Sequence, residues 1–276
     1  MKKKVIFLDI DGTLTIAGSN VPPESALRAI RAAQDKGHLI FLCTGRNYDM
    51  LKPLLECQFD GVVASAGGYI RYGQQVIYDC PMSQRQQQLV LDTLKECGIF
   101  RTVECLDGSY TDDGFKEFLE EHAGENSNSE LLRWRRQIEE ELNIRSMEEY
   151  AGQPVYKVVV MSPDMNRLES AKKILEQEFL FCIQEVDQYG IVNGEVINRQ
   201  FDKGKAVVRV CEYLHIPVED SIAFGDSMND KEMMETAGYS ICMGNGSDTL
   251  KKLTDEVCPS VEQDGLYHAF IRLGLM

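Results

Sequence analysis

Short apolar runs that lead into polar residues alternate along the chain with stretches whose apolar positions have helical spacing. The first run, Val5–Leu8, leads into Asp9, and residues 22–37 then carry the spacing, start and end signals of a helix. The same pattern predicts a strand and polar loop over 39–46, a helix over about 48–58, a strand over 61–65, a helix over 204–214, a strand over 221–224, a helix over 231–236 and a strand over 239–243. Such alternation predicts an α/β fold with a doubly wound, parallel, Rossmann-like sheet.

The alternation stops near Pro81 and returns near Lys203. Between these points, helix-like stretches (84–98 and 130–142) and strand-like stretches (155–161 and 191–197) predict a smaller α+β domain. We therefore expect a core formed by residues 1–82 and 198–276, with an inserted domain over 83–197. Residues 108–150 contain 12 acidic and 5 basic residues, so this stretch of the insert alone supplies 7 of the 15 net negative charges.

Composition and charge exclude several classes of function. No apolar run approaches the ~20 residues of a spanning helix, which argues against a membrane role. The net charge of −15 argues against nucleic acid as a partner, because binding to its phosphates depends on Lys and Arg. The nine cysteines are odd in number and form no CxxC pair, which makes a disulfide framework or zinc site improbable and favours a reducing cytoplasm.

Two carboxylates follow the first predicted strand in the sequence Asp9-Ile10-Asp11-Gly12-Thr13. Ligands bind at the carboxyl ends of strands in open α/β sheets, and residues i and i+2 of an extended chain point the same way. Both acids can therefore face one crevice, where their like charges need a cation. The alternative is an ordinary turn, which Asp and Gly commonly form.

A second acidic group, Asp226 and Asp230, follows the predicted strand over 221–224. Four-residue spacing places both acids on one face if a helix starts there, although an acidic first turn is common in any helix. Magnesium takes one or two carboxylates together with phosphate and water, and Asp9, Asp11 and Asp226 can supply the carboxylates.

Two further motifs carry groups suited to phosphate. Thr44-Gly45-Arg46 ends the second predicted strand, where a hydroxyl and a small residue can approach a phosphate. Lys203 and Lys205 flank a glycine where the α/β pattern resumes, and lysine serves as a point charge for phosphate. The alternative for the lysines is a solvated turn before a helix.

Taken in order, these motifs resemble those of the haloacid dehalogenase superfamily, in particular its Cof-type phosphatases (subfamily IIB), whose C2-type cap is inserted between the second and third motifs. The matching segments are DIDGT, TGR with Thr44, DKGKA with Lys203, and GDSMND from Gly225 to Asp230. The resemblance spans essentially the whole chain. It implies that the inserted domain is a cap that selects the substrate.

The resemblance also implies a mechanism. Asp9 would attack phosphorus to form an aspartyl-phosphate, and Asp11 would protonate the leaving group and then activate water. Magnesium would be held by Asp9, the backbone carbonyl of Asp11, and Asp226.

The remaining motif residues receive supporting roles from the same resemblance. Lys203 would balance charge, and Asp230 would orient metal-bound water or Lys203. The phosphate would be bound by Thr44, Gly45, Lys203 and Asn229. The chain departs from the family after the third strand, where Ser65-Ala66-Gly67-Gly68 stands at the place of the frequent Asn-Gly. Ala66 cannot supply a side-chain amide, which puts one loop or substrate contact in doubt.

The expected substrate is a small phosphorylated metabolite: a sugar phosphate, a nucleotide or a phosphorylated cofactor. A phosphomutase-like phosphotransferase and a non-catalytic binding protein on the same fold are the alternatives. In the insert, the cluster Arg133, Trp134, Arg135 and Arg136 is either a phosphate-binding patch or, more in keeping with its glutamate neighbours, a solvated helix face. The aromatic residues Tyr110, Phe115 and Phe118 fit a specificity surface or the core of the insert equally well.

Overall fold

The computed structural model describes residues 2–114, 117, 144–183 and 192–276, and these residues form two compact units. The first unit runs to Arg46 and also contains Leu51–Asp79 and Phe201–Met276. The second contains Asn47–Met50 and the described residues within Cys80–Gln200. Within the described ranges, no helix is long and apolar enough to cross a membrane.

An eight-stranded sheet organises the first unit, in the order β14-β13-β12-β1-β2-β3-β4-β5. The six strands from β14 to β3 run parallel, and β4 and β5 extend the sheet as an antiparallel hairpin. The strands are β1 (Val5–Leu8), β2 (Leu39–Cys43), β3 (Gly61–Ala64), β4 (Tyr69–Tyr72), β5 (Gln75–Asp79), β12 (Ser221–Gly225), β13 (Tyr239–Cys242) and β14 (Glu256–Val257).

Strands β1, β2, β3 and β12 are buried along their whole length, because helices cover both faces of the parallel sheet. Helix Glu24–Asp35 packs with Gly265–Arg272, and helix Lys203–Leu214 packs with Lys231–Thr236. The α/β fold class predicted from the sequence is confirmed. The other helices of this unit are Lys52–Leu55 and Asp248–Lys251, with short 3₁₀ turns at Ser65–Gly67, Val218–Asp220, Met228–Asp230 and Val261–Gln263.

Two local features of the first unit differ from the sequence-based expectation. The helix predicted over 48–58 is a 3₁₀ turn, Asp49–Leu51, followed by the single helical turn Lys52–Leu55. Pro53 near the start of that turn supplies no backbone N–H, and Gln58 leaves helical geometry with a φ of 62°. The antiparallel hairpin of β4 and β5 was not predicted.

The second unit has its own six-stranded sheet, in the order β10-β11-β9-β6-β7-β8. Every neighbouring pair is antiparallel except β7 and β8. Its strands are β6 (Phe100–Cys105), β7 (Gly108–Thr111), β8 (Ile144–Ser146), β9 (Val155–Ser162), β10 (Phe179–Ile183) and β11 (Val192–Asn198).

One face of this second sheet forms an apolar core with helices Gln84–Glu96 and Met165–Leu175, in which Val103 and Val158 are fully buried. Tyr110 belongs to the same core, which favours its structural role over a specificity role. The predicted helix over 130–142, the cluster Arg133, Trp134, Arg135 and Arg136, and the residues Phe115, Phe118 and Ile191 lie outside the described residues.

The other face of the second sheet carries a buried ionic group, because successive side chains of a strand point to opposite faces. Lys157 on β9 is fully buried, and its Nζ lies 2.6 Å from Glu195 Oε1 and 3.3 Å from Glu104 Oε2. Glu104 is the cross-strand partner of Lys157 and is also fully buried. Pairing offsets the large cost of removing these charges from water, so the three side chains depend on one another.

The turn after β3 contains a residue in an unfavourable backbone conformation. Ala66 adopts φ 56° and ψ 26°, a left-handed conformation that costs a residue with a Cβ about 1–2 kcal/mol. Its N–H donates to the Thr44 carbonyl at 2.9 Å, and the Ser65 N–H donates to the Arg46 carbonyl at 2.8 Å. These bonds hold the turn against the loop that follows β2, and they maintain the strained geometry.

We expect Ala66→Asn to stabilise the first unit by about 0.5–1 kcal/mol, because asparagine tolerates the left-handed region. Ala32→Asn in helix Glu24–Asp35 is the matched control, and it should destabilise by up to about 0.7 kcal/mol because asparagine is a poorer helix former. Thermal unfolding measures both changes. A melting temperature lowered by both substitutions would contradict the assignment of strain to Ala66.

Candidate active site

The carboxyl ends of three neighbouring parallel strands bring the candidate residues together. Leu8, the last residue of β1, is paired with Leu42 on one side and Phe224 on the other. The residues that follow these strands therefore emerge at one edge of the sheet, and they include Asp9 and Asp226. This is the edge at which open α/β sheets bind ligands.

A buried lysine joins two of the acids. Lys203 opens the helix Lys203–Leu214, and its Nζ donates to Asp9 Oδ1 at 2.7 Å and to Asp230 Oδ1 at 2.6 Å. All three residues are almost completely buried. Charge-assisted bonds of this length are strong, and each charge here relies on the others for compensation.

Asp230 has both oxygens engaged by the protein. Its Oδ1 accepts from Lys203, and its Oδ2 accepts from the backbone N–H groups of Asp226 at 3.0 Å and Ser227 at 3.3 Å. Gly225 makes room for this carboxylate, since a Cβ there would lie 2.5 Å from Asp230 Oδ2. Asp230 therefore holds Lys203 and the turn that presents Asp226.

Burial and mutual repulsion raise the pKa values of the two acids that face each other. Burial is the main cause that raises the pKa of Asp9 to about 7, and the Asp230 carboxylate adds to it. Burial likewise raises the pKa of Asp226 to about 8, with Asp9 and Asp230 as the charged contributors. For Lys203, burial acts to lower the pKa, but Asp230 and Asp9 outweigh it and hold the pKa well above its usual value.

The acidic residues have the arrangement of a cation site. One carboxylate oxygen from each of Asp9, Asp226 and Asp230 lies within 4.8 Å of the others. Asp226 Oδ1 is buried and has no hydrogen-bond partner among the described residues, whereas both Asp230 oxygens are engaged. Oxygen-only ligands suit a hard divalent ion, so Asp9 and Asp226 fit such an ion better than Asp230 does.

The loop after β1 approaches Asp226 too closely for a side chain at position 12. Gly12 has a φ of +85°, and a Cβ there would lie 2.2 Å from Asp226 Oδ2. The Asn245 side chain holds this loop, since its Nδ2 donates to the Gly12 carbonyl at 2.7 Å and its Oδ1 accepts from the Val261 N–H at 3.1 Å. Position 12 therefore requires glycine, both for its positive φ and because a Cβ would collide with the Asp226 carboxylate.

Asp11 lies outside the acidic cluster and is bound by an arginine. Arg46 Nε donates to Asp11 Oδ2 at 2.8 Å, and Arg46 Nη2 donates to Asp11 Oδ1 at 2.6 Å. The Gly18 N–H also donates to Asp11 Oδ1, at 2.8 Å. The expected magnesium contact of Asp11 is through its backbone carbonyl, so this side-chain arrangement leaves that expectation open.

The predicted phosphate-binding residues occupy different environments. Thr44 is buried, and its Oγ1 accepts from the Arg46 N–H at 3.1 Å. Gly45 is half-buried in the same loop, while Asn229 is exposed and its Oδ1 accepts from Ser227 Oγ at 2.9 Å. Lys203 is the residue of this set that contacts the acidic cluster.

Sequence reasoning did not assign a role to Arg46, Asn20 or Asn245. Arg46 lies inside the TGR motif, and a charged residue directly after a buried strand was the available signal. Asn245 follows the predicted strand over 239–243, a position typical of site residues in such sheets. Neither signal identifies the partner, because Asp11 and Gly12 are distant from these residues in the chain.

A parallel α/β sheet that gathers acids and a buried lysine at its strand ends has the architecture of a ligand-binding or active site in the α/β class of proteins. A family model described as haloacid dehalogenase-like hydrolase matches residues 6–270. The chain therefore belongs to the haloacid dehalogenase-like hydrolases, and it is an enzyme of their phosphatase class. The family resemblance expected from the sequence is confirmed.

Two curated bacterial relatives, each aligned with this chain over nearly its whole length, are named as phosphatases. The 5-amino-6-(5-phospho-D-ribitylamino)uracil phosphatase YwtE of Bacillus subtilis (strain 168) is 28% identical, with 95% of each chain covered. The pyridoxal phosphate phosphatase YbhA of Escherichia coli (strain K12) is also 28% identical, with 91% of each chain covered.

Solved structures share the fold. A haloacid dehalogenase-like hydrolase from B. subtilis has a TM-score of 0.80 at 23% identity, covering 98% of this chain and 99% of that one. The subclass IIB sugar phosphatase BT4131 has a TM-score of 0.78 at 21% identity, covering 99% and 100% respectively.

The raised pKa values predict that stability depends on pH and on divalent cations. Asp9 and Asp226 bind protons in the folded state that the unfolded chain, with acids near 3.8, has already released. Their stabilising contribution is therefore full below about pH 4 and is lost as the pH rises through about 7 and 8. In chelator, we expect the melting temperature to fall between about pH 5 and about pH 9, and Mg²⁺ to reduce that fall.

Asp226→Asn is the control for this prediction, because it removes one of the two ionisations. It should flatten the pH dependence in chelator and weaken the effect of Mg²⁺. A melting temperature in chelator that does not change with pH in the parent chain would contradict the assignment.

Proposed function

We propose that the protein is a magnesium-dependent phosphatase that hydrolyses a small phosphorylated metabolite through an aspartyl-phosphate at Asp9. The observation that carries this proposal is the buried contact of Asp9 Oδ1 with Lys203 Nζ, near Asp226 Oδ1, which has no hydrogen-bond partner among the residues that the structure describes. A carboxylate that attacks a phosphate dianion needs positive charge on both sides of the reacting atoms. Lys203 supplies one such charge from within the chain.

In the first step, an Asp9 carboxylate oxygen attacks phosphorus and forms the new P–O bond. The bond from phosphorus to the leaving oxygen breaks, and its electron pair stays on that oxygen, which takes a proton from Asp11. Asp9 starts from a defined position, because Lys203 holds its Oδ1 at 2.7 Å and the Asp9 N–H donates to the Phe224 carbonyl at 3.0 Å.

In the second step, a water oxygen attacks the phosphorus of the aspartyl-phosphate while Asp11 takes its proton. The bond from phosphorus to the Asp9 oxygen breaks, which releases inorganic phosphate and restores both side chains. The protein's part in both steps is positioning and electrostatic stabilisation.

The ion and the phosphate are held by different groups in this proposal. Asp9, Asp226 and the backbone carbonyl of Asp11 would hold Mg²⁺, which when bound offsets the repulsion between the nucleophile and the phosphate. The phosphoryl oxygens would be bound by Thr44, Gly45, Lys203 and Asn229. Asp230 orients Lys203, a role supported by their 2.6 Å contact.

The second unit corresponds to the inserted domain, and we assign it the choice of leaving group. The relatives named above act on a phosphoribityl pyrimidine and on pyridoxal phosphate, so we propose a phosphorylated metabolite of comparable size. The cysteine usage of the sequence supports a cytoplasmic location.

We expect Asp9→Asn to abolish phosphate release from nitrophenyl phosphate in Mg²⁺, because the amide cannot form the covalent intermediate. The parent chain should also lose activity in chelator and recover it with added Mg²⁺. Phosphate release and trapping of the labelled phosphoenzyme are the measurements.

Asp220→Asn is the matched control, since Asp220 is also a buried acid paired with lysine, its Oδ1 lying 2.9 Å from Lys4 Nζ. It should lower stability without abolishing turnover. Retained activity in Asp9→Asn would refute the covalent mechanism, and transfer of the phosphate to an added sugar instead of water would indicate a phosphotransferase.

A further inference from the structure

We propose that Arg46 is a positioning residue that fixes the orientation of Asp11 for proton transfer. This inference deepens the proposed function and rests on it. The Arg46 side chain is 2% exposed and meets the Asp11 carboxylate with two parallel bonds, Nε to Oδ2 at 2.8 Å and Nη2 to Oδ1 at 2.6 Å. Two parallel bonds from a planar guanidinium restrict it and the carboxylate to one relative orientation, whereas a single bond would leave them free to rotate.

The other donors of Arg46 are directed at the protein and not at a ligand. Nη1 donates to Asn20 Oδ1 at 2.6 Å, and Nη2 also reaches the Ser19 carbonyl at 3.3 Å. Contacts with Asp11, Ser19 and Asn20 thus involve all three guanidinium nitrogens. With so little of it exposed, Arg46 acts on the substrate through Asp11.

The backbone of Arg46 is itself held in place. Its N–H donates to Thr44 Oγ1 at 3.1 Å, and its carbonyl accepts from the Ser65 N–H at 2.8 Å. The guanidinium therefore extends from a loop that is tied to two strand ends. Asp11 lies on the loop next to Gly12, and its carboxylate also accepts from the Gly18 N–H at 2.8 Å.

Loss of the Arg46 contact should slow some phosphate esters more than others, depending on the leaving group. A misplaced Asp11 impairs proton delivery, so the loss is large when the leaving oxygen needs a proton and small when it departs as a stable anion. The parameter kcat/KM includes only the steps through the first cleavage, so it reports this proton delivery. The later hydrolysis of the phosphoenzyme does not enter it.

The experiment compares phenyl phosphate with dinitrophenyl phosphate in Mg²⁺ for the parent chain, Arg46→Gln and Arg46→Lys. We expect Arg46→Gln to lower kcat/KM about 10–100-fold for phenyl phosphate and less than about 3-fold for dinitrophenyl phosphate, because a misplaced acid forfeits part of the ~10²–10⁴-fold that general acid catalysis supplies. Arg46→Lys keeps the charge but cannot make two parallel bonds, so its kcat/KM for phenyl phosphate should lie between the values of the parent chain and of Arg46→Gln. Asn20→Ala removes one partner of Arg46, and we expect a smaller loss with the same selectivity.

The matched control is Arg101→Gln in the second unit, because Arg101 makes the same paired contact with Asp112, at 2.9 and 2.5 Å. It should leave the ratio of kcat/KM for the two esters unchanged, even if stability falls. In an Asp11→Asn background, Arg46→Gln should cause no further selective loss, since the two residues act as one unit.

Equal losses for both esters in Arg46→Gln, or a selective loss that persists in the Asp11→Asn background, would overturn the positioning role. Failure of the proposed function has a different signature. In that case Asp9→Asn releases phenol as fast as the parent chain, whatever the Arg46 variants do.

Discussion

The buried ammonium of Lys203, placed between Asp9 and Asp230, is the interaction on which the site depends. Removing one partner of such a group leaves an uncompensated buried charge, at a cost of about 3–5 kcal/mol. Lys203 contacts two of the three clustered acids, so negative charge remains at Asp226, where one oxygen has no partner among the described residues. Burial is the main cause that raises the pKa values of Asp9 and Asp226, and the Asp230 carboxylate adds to it for both, which makes the edge of the sheet suitable for a cation. The same interaction thus explains both the rigidity of the acids and their need for a further positive charge.

The parallel sheet explains why these groups meet. Its central strands β1, β2, β3 and β12 are buried along their whole length, so the charged side chains of the site appear where these strands end. Small residues then allow the loops to approach each other: Gly12 leaves space for Asp226, and Gly225 leaves space for Asp230. The hydrogen bond from Asn245 holds the loop at Gly12, and the hydrogen bonds of the left-handed turn at Ala66 hold the loop that follows β2. A site assembled from loops therefore gains the precision of the buried sheet beneath it.

The second unit has a different architecture. It is an antiparallel sheet with its own apolar core against two helices, and it carries the buried group of Glu104, Lys157 and Glu195. Two relatives that align with more than nine tenths of the chain are named as phosphatases of chemically different metabolites, which agrees with the general rule that function resides in sites placed on a shared fold.

Local sequence determined the elements and the chemical groups of this protein, because hydrophobic spacing is a property of neighbouring residues. Apolar runs located β1, β2, β3, β12 and β13, and the motif residues Asp9, Asp226, Asp230 and Lys203 could be selected before their geometry was known. Tertiary structure decided which groups act together. The pairing of Asp11 with Arg46, the bond from Asn245 to Gly12 and the engagement of both Asp230 oxygens depend on contacts whose geometry no local pattern specifies. The hairpin of β4 and β5 and the shortened helix after β2 likewise depend on packing and backbone geometry, for which hydrophobic spacing alone is insufficient.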